Sequence, residues 1–123
     1  MNPDQINEIA QKLHDARLGA GPLKQFSANI ENFKRADAYS IQETGIAMRE
    51  EDGEKVIGLK MGLTSKEKRD QMNLDAPLYG VLTDKMQVKN QGTYSLEGSI
   101  HPKIEPEIAF YISSELKGEV TRE

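Results

Sequence analysis

Apolar residues recur through the first twenty positions at the period of a helix, and the residues on either side agree. In "NPDQINEIAQKLHDARLGAG", Ile6, Ile9, Ala10, Leu13 and Ala16 fall on one stripe. Asn2 can cap, Pro3 suits the first helical position, and Gln5 stands where a capping box needs it. Gly19 and Gly21 close the element. His14 lies at the border of the stripe and reads as an ordinary boundary residue, since nothing near it in sequence would join it in chemistry. A second helix is predicted over "RADAYSIQETGIAMREE", with Ala38, Ile41, Gly45 and Met48 on one side. Gly45 weakens an isolated helix by about 1 kcal/mol relative to Ala, so packing is expected to hold this one.

Beyond a turn at Asp52 and Gly53 the period shortens. "KVIGLKMGL" predicts a short strand with two glycines, where backbone or ligand can approach closely. "TSKEKRDQMN" predicts a short charged helix capped by Thr64 or Ser65 and ended near Asn73. "APLYGVL" is expected to be extended, and "KNQGTYSLEGS" to be rich in turns. Within "IHPKIEPEIAF" and the two residues after it, a strand would direct Ile104, Ile108, Phe110 and Ile112 to one face. Glu105, Glu107, Ala109 and Tyr111 would then take the other. Pro106 lacks a donor and predicts a bulge or an edge position there. Helices first and strands afterwards make the fold class α+β. The division expected is a helix-rich region with one short strand over 1–75, then the first strands of a β domain over 76–123.

Composition narrows the function. A length of 123 residues allows one hydrophobic core, and 37% apolar with 6% aromatic residues makes it a lean one. Sixteen Lys and Arg face twenty Asp and Glu, with no basic stripe to follow a phosphate backbone, so nucleic acid is excluded as a partner. The absence of cysteine removes disulfides and thiolate metal sites. No apolar run is long enough to span a membrane, and the N-terminus lacks the layout of a secretory signal. A reducing cytoplasm is the expected compartment.

Two features carry candidate chemistry. The pair Glu105 and Glu107 has a plain reading, the solvated face of an amphipathic strand. Its functional reading is an oxygen-ligand site, because two carboxylates pointing the same way repel until a cation sits between them. Magnesium and manganese prefer such ligands, whereas zinc would normally want histidine as well. His101 and Lys103 lie just upstream; His101 could support a ligand or contact substrate, or, as a loop histidine before a proline, do neither. The second feature is Lys60, which stands in the glycine-bracketed run "VIGLKMGLT". A lysine there either snorkels from a strand edge or is kept for function. Near a divalent cation it could move a proton or bind a substrate carboxylate. The glycines do not form a phosphate-binding loop.

The blocks "GEKVIGLKMGLTSKEKRDQMNLDAPLYGVLTDKM" and "IHPKIEPEIAF", in this order and at this spacing, closely resemble the hydratase/decarboxylase branch of the fumarylacetoacetate hydrolase superfamily. These are enzymes of the meta-cleavage route for aromatic breakdown. The likeness runs from about Tyr39 to Phe110, and the N-terminal helix is compatible with it. It implies the start of a mixed, β-rich domain of that superfamily, and a lyase that uses Mg²⁺ or Mn²⁺ to bind a 2-oxo acid.

Glu105 and Glu107 fall on the family's first two metal-ligand positions, and Lys60 on its active-site lysine. Where hydratases of the branch carry an acidic residue in a P-D-F-G-like segment, "PLYG" places Leu78. "GLKMGLT" also lacks the arginine that hydratases tend to carry before the lysine. Both departures resemble the decarboxylases of the branch. The implied partners are a small 2-oxo dicarboxylate substrate, further copies of the chain in a homo-oligomer, and the hydratase of the same route. Family members continue past the position of Glu123 and bring a third carboxylate from there. The chain as written is therefore expected to hold two-thirds of a metal site, to be poorly active alone and to associate.

Overall fold

The computed structural model describes residues 1–115 and 117–119. Helix α1 spans Pro3–Leu18 and begins as its sequence predicts. The Gln5 amide donates to the Asn2 side chain at 2.9 Å, and the Gln5 side chain accepts from the Asn2 amide at 3.1 Å. Helix α2 spans Arg35–Glu51, and the Lys34 amide donates to Asp37 at its start. The Met1 ammonium binds Asp37 at 2.7 Å, joining the two helix beginnings. At the far ends His14 meets Asp52 at 3.1 Å, and Arg17 lies 3.7 Å from Glu54. With like ends together, the helices run parallel. A parallel return must retrace the roughly 24 Å length of a 16-residue helix. The segment 19–34, with a single 3₁₀ turn at Ser27–Asn29, makes that return.

Ala10 and Ile41 are the buried apolar residues between these helices. The stripe on α1 is not buried evenly. Leu13 stays 39% exposed, whereas the His14 side chain is nine-tenths covered. The His14 side chain turns inward to Asp52, whereas Arg17 reaches Glu54 from a partly exposed position.

Strand β1 (Val56–Gly62) pairs antiparallel with β2 (Leu78–Thr83), giving a two-stranded sheet with a register irregularity between Val56 and Gly58. Helix α3 (Lys66–Gln71) lies in the connection and is capped by Ser65, whose hydroxyl accepts from the Lys68 amide. Arg69 fastens this loop by donating to the carbonyls of Leu63 and Thr64 at 3.0 and 2.6 Å. The α+β class is therefore the observed one. The sheet itself joins β1, from residues before 76, to β2, from residues after it.

Two contacts tie the sheet to the helices. Tyr39 of α2 stacks on Tyr79 of β2 with ring centroids 4.5 Å apart, and its hydroxyl accepts from the Tyr79 amide at 3.3 Å. The second is a buried polar knot. Arg49 of α2 donates through Nε and Nη2 to Glu54 Oε2 at 2.9 and 2.6 Å, and to Thr83 Oγ1 of β2 at 2.8 Å. The Thr83 hydroxyl in turn donates to Glu54. This closed triangle satisfies three buried polar groups where a larger protein would use apolar packing.

The strand expected over 104–112 is not formed. This segment carries no regular secondary structure and no ladder partner among the described residues. The face assigned to its isoleucines is not packed either, since Ile104 is 98% and Ile108 84% exposed. A strand needs a neighbour to take its N–H and C=O groups, and none of the described residues supplies one.

Candidate functional site

β1 carries Lys60 opposite Gly80 of β2, and Gly62 stands opposite Leu78. Alternation along the strands places Lys60 and Leu78 on the same face of the sheet, two positions apart across a residue without a side chain. The segment after His101 crosses this region. Lys60 Nζ donates to Glu107 Oε1, a contact between residues 47 apart in sequence, and stands 3.8 Å from Glu105 Oε2. The two carboxylates thus converge on one nitrogen although their segment is not a strand. Each remains more than half exposed, and so does about half of the Lys60 side chain.

The electrostatics follow from the contact. The hydrogen bond from Lys60 holds the Glu107 carboxyl below its ordinary range, and the ammonium charge adds to that. The same bond to Glu107 holds Lys60 above the ordinary lysine value, with Glu105 contributing less. Both groups are charged at neutral pH, and the ammonium faces both carboxylates.

The donor set fits a hard divalent ion in kind. Glu105 and Glu107 offer carboxylate oxygens, and a site of one or two carboxylates completed by water and substrate oxygens suits magnesium. Among the described residues, no group of three or more His, Cys, Asp or Glu is gathered closely enough to hold a metal. His101 and Lys103 are exposed and make no hydrogen bond or ion pair with the described residues. Leu78 is half-buried and touches the site only through the shared face of the sheet.

Reading the residues in order missed the knot of Arg49, Glu54 and Thr83, which joins α2 to the strand that carries Leu78. One signal was present. Arg49 follows Met48 directly on the inward side of α2, where a lone arginine requires a buried acid.

Comparison with known proteins gives similarity over most of this chain. No family model matches the chain. Individual proteins do, and the chain is similar over nearly its whole length to decarboxylases and hydratases. It is 38% identical over 118 residues to a 4-oxalocrotonate decarboxylase of Pseudomonas putida, covering 96% of this chain and 45% of the relative. It is 40% identical over 121 residues to a 2-hydroxyhexa-2,4-dienoate hydratase of Comamonas testosteroni, covering 96% and 46%.

A solved structure agrees: the 4-oxalocrotonate decarboxylase of Pseudomonas putida G7, complexed with magnesium and adipate. It superposes with a TM-score of 0.66 at 33% identity, over 69% of this chain and 32% of that one. The chain spans about 45% of the length of the curated relatives it matches. No helix among the described residues is long and apolar enough to cross a membrane.

Proposed function

We propose that this chain is part of a divalent-metal-dependent lyase that converts 2-oxohex-3-enedioate to 2-hydroxypenta-2,4-dienoate and carbon dioxide. The observation that carries the reading is the convergence of Glu105, Glu107 and Lys60, from separate parts of the chain, on one open patch beside Leu78. Support comes from the magnesium and the six-carbon diacid bound by the solved decarboxylase.

Glu105 and Glu107 would hold Mg²⁺ or Mn²⁺, with a third carboxylate expected from outside this chain. A bound ion would supply Lewis-acid polarisation of the substrate's 2-oxo oxygen. Lys60 would bind a substrate carboxylate or deliver a proton. In the reaction, the bond from C5 to the departing carboxylate breaks. Its electron pair moves through the conjugated chain to the 2-oxo oxygen, which takes one proton to give the dienol. Leu78 decides between reactions. Addition of water needs a group to orient or deprotonate it, and an apolar side chain does neither. A drier face also strengthens every charge interaction that assists the departure of carbon dioxide.

The hydratase reading keeps one specific support, the 40% identity to the Comamonas enzyme. Product analysis separates the two, as carbon dioxide release against water addition. The assay begins with the intact mass of the protein from its source, and a mass above 13.8 kDa directs it to the longer form. Leu78→Asp is expected to gain hydration of 2-hydroxypenta-2,4-dienoate, and Lys60→Ala to lower decarboxylation by about 100-fold. No gain in the first together with no loss in the second would overturn these roles. Association with the pathway's hydratase, and with further copies of the chain, belongs to the same proposal. Co-elution with the hydratase and no metal-dependent turnover would instead mark the chain as an interaction module.

A further inference from the structure

Lys60 makes two contacts that a substrate-binding lysine does not need. Its ammonium bonds Glu107 and stands 3.8 Å from Glu105, two residues earlier on the same segment. This segment, 102–113, has no secondary structure to hold its shape, and its isoleucines contribute little packing. Two like charges so close on a free segment would splay apart. The ammonium instead draws both carboxylates to one point, anchored to β1 by the lysine's own backbone.

We propose that Lys60 is a built-in counter-cation for the carboxylate pair: it keeps Glu105 and Glu107 aimed at one point, and a divalent ion must displace it to bind there. This rests on the metal-site reading above and adds to it an order of events. The carboxylate oxygens that Lys60 holds are the ones a metal would take, so the two cations compete. Metal entry then releases the ammonium at the edge of the site, on the sheet face shared with Leu78, where it can meet a substrate carboxylate. By linkage, metal binding and carboxylate binding would reinforce each other, because the first frees the group that the second uses.

The experiment is Mn²⁺ binding by electron paramagnetic resonance, comparing the chelator-treated longest native form of the protein with its Lys60→Met variant. Methionine keeps the length of the stem and removes the charge, and its effect on the fold is checked by far-UV circular dichroism. In parallel, the side-chain ¹⁵Nζ resonance of Lys60 is followed during a Mg²⁺ titration of the parent. The expected result is about 3- to 5-fold tighter Mn²⁺ binding by Lys60→Met, the scale of one exposed ion pair. The Lys60 resonance should also move in step with metal occupancy. Unchanged or weaker Mn²⁺ binding by Lys60→Met would overturn the counter-cation role and leave the metal site standing. Tighter binding with an unmoved Lys60 resonance would overturn it too, by showing distant repulsion without displacement. Failure of both proteins to bind Mn²⁺ saturably would overturn the metal-site reading itself.

Discussion

Replacing Arg49 by alanine is expected to cost the fold about 3 kcal/mol or more, measured as the loss of urea stability followed by far-UV circular dichroism. Glu54 is nine-tenths buried and receives bonds from Arg49 Nε, from Arg49 Nη2 and from the Thr83 hydroxyl. Removing Arg49 leaves a buried carboxylate with Thr83 and, at 3.7 Å, a partly exposed Arg17. Few apolar residues are buried to absorb such a loss, and a domain has only about 5–15 kcal/mol in all. A double replacement, Arg49→Met with Glu54→Leu, removes both charges together and should recover most of the stability. If Arg49→Ala unfolds at the same urea concentration as the parent, the knot is not holding the helices to the sheet.

The same triangle sets an acid limit. The bond from Arg49, followed by that from Thr83, holds the Glu54 carboxyl below its ordinary value of 4.5 in the fold, against the opposing effect of burial. A group whose folded value is depressed binds protons more tightly when unfolded, so its stabilisation is complete above the unfolded value. It is lost as pH falls through the lower, folded value. The urea midpoint should therefore hold from neutral pH down to about 5 and decline below 4.5. Glu54→Gln should flatten that decline. An equally steep decline in Glu54→Gln would assign the acid sensitivity to other carboxylates, such as Asp37 beside the Met1 ammonium.

What the sequence made legible was whatever is decided locally. Asn2, Pro3 and Gln5 specify the start of α1 because capping needs only neighbours within three or four residues. The bounds of α2 follow from the same short-range chemistry, as does a cap at Thr64 or Ser65, of which the structure uses Ser65. Strand tendency over 104–112 was legible in the same sense, but a strand is completed by a partner, and no alternation of residues supplies one. The parallel arrangement of α1 and α2 was not legible either. It rests on contacts at both ends, the Met1 ammonium with Asp37 and His14 Nε2 with Asp52 at 3.1 Å, that join residues far apart in the chain. In the candidate site, spacing alone left the two glutamates as either a solvated face or a ligand pair. The meeting with Lys60 across 47 residues goes beyond what spacing can express. The resemblance to a family singled out those three residues together, and the geometry brings them to one point.

Glu107→Gln is expected to weaken Mn²⁺ binding by about 100-fold and to remove metal-dependent decarboxylation to a similar degree in the longest native form of the protein. The substitution keeps size and one oxygen while deleting the charge. A hard divalent ion bound by few protein ligands depends on the charge of each one. Glu107 carries the closer contact to Lys60, so it sits nearer than Glu105 to the point where the cation charge is concentrated. Glu105→Gln should accordingly weaken binding as well, and Glu97→Gln, on an exposed turn outside the site, should leave it unchanged. Activity alone would not separate a lost metal from a misplaced substrate, whereas the electron paramagnetic resonance titration reads the metal directly. Wild-type Mn²⁺ affinity in Glu107→Gln would remove the carboxylate pair from the metal site, and with it the proposed chemistry. Loss of affinity in Glu105→Gln and Glu107→Gln but not in Glu97→Gln would locate the cation between the two glutamates that share the segment.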